Sequence, residues 1–136
     1  MAEAMLRAML CEKLGCELEE LRDRGYEVLS AGIHTMNGLT ASLETIEVLT
    51  EQGIELRNHS SQPLSRQLLE AADTVYAMTK SHESSILAHW PEYKTRVELL
   101  SRDGKDISDP IGMGIDEYRR CQAEIAENLR QILDRI

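Results

Sequence analysis

The chain has 136 residues, of which 24 are acidic and 15 basic, for a formal net charge of −9. It holds no cluster of Lys and Arg, which excludes a surface built for nucleic acid or for an anionic membrane, because phosphates need grouped cations. The hydrophobic fraction is 42% but aromatics are 4% and Phe is absent, so a single domain over 1–136 must build its core from Leu, Ile, Val, Met and Ala.

Met1–Leu14 reads as a helix, with Leu6, Leu10 and Leu14 on one face and Met5 and Met9 beside them. Its pattern starts at the first residue, with no capping side chain and no preceding turn. Gly15 ends it, and Cys16–Arg24 forms a further short helix. Tyr26–Ala31 reads as a strand closed by Gly32. Ser42–Gln52 is a helix with Ile46, Val48 and Leu49 inward, stopped by Gly53. Ser65–Ala71 is a short helix, Asp73–Met78 an apolar strand, Ser81–His89 a helix, and Lys94–Leu100 holds another strand. Ser101–Gly114 is a polar loop containing Asp109-Pro110. The last helix carries Ile115, Tyr118, Cys121, Ile125, Leu129, Ile132 and Ile136 at spacings of three or four.

Strands alternating with helices predict an α/β domain, a parallel sheet covered by helices on both faces. Such sheets bind ligands beyond the carboxyl ends of their strands. Three strands are few for this architecture, whose usual number is about four to six. No apolar run is long enough to span a bilayer, and no basic segment followed by an apolar stretch marks a signal peptide. Cys11, Cys16 and Cys121 form an odd set without framework spacing. The expected setting is reduced and cytoplasmic, with the three thiols buried as small hydrophobes. His34, His82, His89 and the cysteines show no metal-ligand spacing, so neither a metal nor a cofactor is expected.

Five segments in order resemble the low-molecular-weight protein-tyrosine-phosphatase family. They are the opening Met-Ala-Glu-Ala, Ser30-Ala31-Gly32, Gly53–His59, Ala72-Asp73 with Met78–His82, and Asp106–Pro110. Together they cover essentially the whole chain. In that family a strand and a loop of Cys, five residues and Arg, then Ser-Pro, run directly into Met-Ala-Glu-Ala. The resemblance therefore implies a three-layer sheet lacking the family's first, central strand and its phosphate loop, and it accounts for the uncapped first helix. Two ways of compensating for that strand are expected: the strand ending at Ser30 pairs directly with the one ending at Met78, or two chains complement each other as a homo-oligomer.

The chemistry that the resemblance implies is phosphomonoester hydrolysis on a phosphoprotein or a small phosphate ester, through a phosphocysteine. A helix N-terminus and a nest of backbone N–H groups lower the thiol pKa and hold the phosphate. Asp109, biased to an extended conformation by Pro110, is implied as the general acid that protonates the leaving group, with Asp106 a neighbouring loop or capping acid. Ser30 and His59 match positions that hydrogen-bond the phosphate loop. Without that loop the 136 residues are expected to be inactive.

Cys16–Arg22 formally matches Cys, five residues, Arg, but it has no glycine, carries three glutamates and continues a helical pattern, so it is not read as a phosphate loop. Ile111-Gly112 stands after Asp109-Pro110 where tyrosine-specific members place aromatics. With Ser61-Gln-Pro-Leu64 it resembles the protein-arginine-phosphatase subgroup instead. Arsenate reductases of the same fold need mid-chain cysteines, which are absent between Cys16 and Cys121. The readings left open are a phosphotyrosine or phosphoarginine phosphatase, and a non-catalytic interaction module on the same scaffold.

Overall fold

The computed structural model of the chain describes residues 1–33, 38, 41–56 and 59–136. His34 lies outside the described residues, as do two positions of the Gly53–His59 segment. The first helix, α1, spans Ala2–Leu14 and starts at Met1 without a side-chain cap. It ends at Gly15, whose φ of 65° is left-handed, the conformation in which a Cβ is disfavoured. The Cys16–Arg24 helix shrinks to a single 3-10 turn over Leu18–Glu20.

Helix α2 covers Leu43–Glu51, and the Ser42 hydroxyl accepts the Thr45 N–H at 3.2 Å. Val48 and Leu49 are buried, but Ile46 is 38% exposed, which corrects the expected inward face. At about 100° per residue, a helix centred on 48 and 49 turns residue 46 outward. Ser65 and Thr79 cap α3 (Arg66–Ala71) and α4 (Lys80–His89) in the same way as Ser42. The closing helix, α5, covers Ile115–Leu133 and buries Tyr118, Cys121, Ile125, Ala126, Leu129 and Ile132. Ile136, expected on that stripe, lies beyond the helix end and is exposed.

Two strands form, β1 (Val75–Ala77) and β2 (Val97–Leu99), paired in parallel with Val75 opposite Val97 and Ala77 opposite Leu99. Successive side chains of β1 leave on opposite faces. Val75 joins Leu69, Ile86, Tyr93 and Val97 in a cluster with α3 and α4. Tyr76 and Met78 pack on the other face against Met5, Leu49, Ile125 and Leu129, from α1, α2 and α5. The molecule is a three-layer α/β fold with a parallel sheet between helices.

The expected strand over Tyr26–Ala31 does not form; residues 26–31 make no ladder. Side chains take the carbonyls that a neighbouring strand would use. The Arg7 guanidinium donates twice to Val28 O, at 3.1 and 2.7 Å, and the Gln62 amide donates to Ser30 O at 2.9 Å. An isolated parallel bridge joins Gly32 to Pro63. Direct pairing of the Ser30 segment with the strand ending at Met78 is therefore corrected as well, since β1 bonds to β2 alone among the described residues. No helix among the described residues is long and apolar enough to cross a membrane.

Candidate active site

The loop after β2 is fastened at three points. The Ile107 N–H donates to Met78 O at 2.9 Å, which ties the loop to the exit of β1. Asp106 accepts the first N–H of α4, from Lys80, at 2.8 Å. The Cys121 thiol, buried on α5, donates to Ser108 O at 3.5 Å. These anchors place Asp109 past the carboxyl end of β1, where ligands of parallel sheets bind.

Asp109 is exposed. One carboxylate oxygen accepts the Ile111 N–H at 3.0 Å, and Pro110 O accepts the Met113 N–H at 2.9 Å. This local turn fixes the carboxylate without burying it, and Gly112, with φ 77°, supplies the left-handed residue the turn requires. Ile111 and Met113 project from it, 74% and 54% exposed. They form an aliphatic rim beside the acid. Asp106, by contrast, is committed to capping α4.

The N-terminus of α1 points into the same neighbourhood. Burial pulls the Met1 amino group below its ordinary pKa, against the opposing pull of Glu3 and the Cys121 thiol. Burial and then Glu124 push the Cys121 thiol up, the Met1 amino group opposes that rise, and Asp109 adds to it. The Cys121 thiol thus lies within electrostatic reach of both the Met1 amino group and Asp109.

Ser30 and His59 lie on the flank of the same helix. The Ser30 hydroxyl donates to the Glu3 carboxylate, and Glu3 pairs with Arg7 at 2.9 Å. Glu3, Arg7, Leu56, His59 and Gln62 line a cavity of about 520 Å3. Ser30 and His59 were expected from the resemblance, whereas Glu3 and Arg7, which bind the Ser30 segment to α1, were not singled out in the sequence. Their spacing of four on a helix was the available signal.

The decoy Cys16–Arg22 forms no phosphate nest. The Cys16 N–H donates to Cys11 O at 3.1 Å and the Glu17 N–H to the Glu20 carboxylate at 3.1 Å, so both amides are used locally. Among the described residues no group of three or more His, Cys, Asp or Glu is placed to hold a metal ion.

The model of the family described as low molecular weight phosphotyrosine protein phosphatase matches residues 1–136. A protein-arginine-phosphatase of Bacillus subtilis is 34% identical over 130 residues, covering 93% of this chain and 86% of its own. A probable low molecular weight protein-tyrosine-phosphatase of Ralstonia solanacearum is 31% identical over 137 residues, covering 100% and 86%. The crystal structure of a low molecular weight protein tyrosine phosphatase from T. tengcongensis superposes with a TM-score of 0.86 at 28% identity, over 99% of this chain and 88% of that one.

Proposed function

Because the chain belongs to the low molecular weight phosphotyrosine protein phosphatase family, we propose that its Asp109 is the general acid of a phosphomonoester hydrolase acting on phosphorylated proteins. The observation that supports this reading is that the Asp109 loop is tied to the exit of β1 through Ile107 and to α5 through Cys121, a thiol that the Met1 amino group at the start of α1 also reaches. In this role Asp109 gives its proton to the departing oxygen, then takes one from the water that resolves the phosphoenzyme. The α1 N-terminus favours the phosphate charge. Ser30 and His59 steady the backbone around it, Ser30 through Glu3.

We further propose that the 136-residue polypeptide does not turn over by itself. A nucleophilic thiolate needs an anion-stabilising cradle, and none of the three cysteines has one. Cys11 sits inside α1, Cys16 is beside glutamates, and burial raises the pKa of Cys121. The check is hydrolysis of p-nitrophenyl phosphate with and without vanadate. The expected rate is that of buffer; vanadate-sensitive turnover would overturn the proposal. A silent chain that also fails to gain activity when a Cys-x5-Arg loop is joined ahead of Met1 would favour the interaction-module reading.

A phosphoarginine substrate is the second reading. It is supported by the aliphatic rim of Ile111 and Met113, which offers no aromatic pair to flank a phenyl ring, and by the name of the Bacillus subtilis relative.

Self-association belongs to the same proposal. The Val75 N–H donates to Arg96 O and Ala77 O accepts the Leu100 N–H, each at 2.8 Å. Alternation in a parallel ladder then turns the Tyr76 N–H and C=O to the other edge of β1, where no strand of the described residues bonds them. Such an edge is a template for a second copy. Sedimentation velocity is expected to show a dimer, and a monomer across the micromolar range would remove this part of the reading.

A further inference from the structure

Helix α1 ends in a closed backbone motif that brings two cysteines together. The N–H of Gly15 and the N–H of Cys16 both return to carbonyls of the last turn, the latter to Cys11 O at 3.1 Å, with Gly15 left-handed between them. A bond from the residue after the glycine to the carbonyl five positions earlier is the signature of the Schellman motif, which a contact between the side chains of the two residues it joins frequently accompanies. In this chain both residues are cysteines. Both are free thiols within electrostatic reach of each other, and neither forms a disulfide. Each is half-buried, and both line one surface depression with Glu12, Gly15, Glu17 and Glu20.

We propose that Cys11 and Cys16 are a reversible dithiol–disulfide pair, a modification site at the C-terminus of α1 that is separate from the Asp109 site. The contact that would otherwise be a small apolar clasp is chemically able to close. The oxidant is a low-molecular-weight disulfide. The thiolate of one cysteine attacks one of its sulfurs and releases one small thiolate. The thiolate of the other cysteine then attacks the protein-side sulfur of the mixed disulfide and releases the second. One S–S bond forms in the protein, one breaks in the oxidant, and the two cysteine protons end on the two released thiols.

The surroundings favour the second step over a lasting mixed disulfide. Glu12, Glu17 and Glu20 ring the depression and repel an anionic adduct such as glutathione. The backbone bond from the Cys16 N–H to Cys11 O holds the second thiol beside the first, so the ring closes at high effective concentration. Burial foremost, then Cys16, Glu17 and Glu19, hold the Cys11 thiol above its ordinary pKa. This makes the pair slow to react at neutral pH and faster as pH rises.

The test is equilibration of the 136-residue protein in a buffer of reduced and oxidised glutathione, acid quench, and a tryptic digest mapped without reduction. Cleavage at Lys13 separates the two cysteines. The expected product is Ala8–Lys13 joined to Leu14–Arg22, on a chain that runs as a single polypeptide in denaturing electrophoresis without reductant, with Cys121 recovered as the thiol. Two of the three thiols are lost together. Gly15→Ala, which opposes the left-handed turn, is expected to lower the joined fraction several-fold at the same buffer ratio. In Cys11→Ser, Cys16 is expected to carry glutathione instead. Recovery of Cys11 and Cys16 as separate glutathione adducts in the parent, of both as free thiols while Cys16 in Cys11→Ser is modified, or of a bond only between two chains would overturn the proposal.

Discussion

With a strand and a Cys-x5-Arg loop joined ahead of Met1, Asp109→Asn is expected to lower kcat by about 10²–10⁴-fold on a phosphate ester with a poor leaving group. The amide keeps the size of the carboxylate and its capacity to accept the Ile111 N–H, so the turn survives and only the transferable proton is lost. The size of the effect must depend on the substrate. Nitrophenolate departs with little protonation, so the loss should shrink for p-nitrophenyl phosphate and be largest for an alkyl or plain phenyl ester. Equal losses on both substrates would show that Asp109 holds the loop and does not supply a proton. Asp106→Asn is the matched control. Asp106 caps the first amide of α4 and Asn keeps an acceptor there, so its replacement should leave stability and the leaving-group dependence nearly unchanged, whereas Asp106→Ala should lower stability by about 0.5–2 kcal/mol.

Asp109 was legible in the sequence for a local reason. A loop acid before proline has few conformations, and its neighbours Ile107 and Ser108 carry the bonds that fix it. Ser30 and His59 were legible only through the order of the segments around them. What joins Ser30 to the site is Glu3, twenty-seven residues away, and no periodicity reports a contact between a helix and an irregular segment. The aliphatic rim had the opposite history. Ile111 was notable in the sequence for the aromatic it replaces, whereas its exposure, and that of Met113, follows from a turn held by Asp109 and Pro110.

Apart from Cys16–Arg24, which shrinks to a 3-10 turn, the helices were read to within a few residues because each carries its own signals: Ser42, Ser65 and Thr79 at N-caps, Gly15 at a C-cap, and an apolar stripe along α5. The strands were not, since a strand exists only where another chain segment bonds to it. Tyr26–Ala31 has the composition of a strand, and in the fold Arg7 and Gln62 occupy its carbonyls. Asp73–Met78 and Lys94–Leu100 each contract to three residues, because their ladder ends where the chain turns into α4 and into the loop before Asp109. Cys11 and Cys16 were visible as residues, but their contact depends on a left-handed glycine between them, which spacing alone did not disclose.

Leu129→Ala should be the most damaging single truncation for folding, lowering stability by about 2–5 kcal/mol in urea unfolding. Leu129 is 2% exposed and lies among Met5, Leu49, Ile125 and Ile132, so the cavity left behind is walled by α1, α2 and α5 at once. Aromatics are 4% of the chain and Phe is absent. The buried neighbours of Leu129 are medium-sized side chains fixed on three helices, and Tyr76 and Met78 are held by the sheet on the facing side, so the space refills only in part. A loss of this size is a large share of the roughly 5–15 kcal/mol that holds a domain of this kind together. The midpoint should move while the slope with denaturant stays the same, because the surface exposed on unfolding is nearly unchanged. Ile136→Ala removes a side chain of comparable size that is 43% exposed beyond the end of α5, and should cost within about 0.5 kcal/mol. If the two variants unfold at the same denaturant concentration, the cluster beneath α5 is not the element that holds the sheet and the Asp109 loop in place.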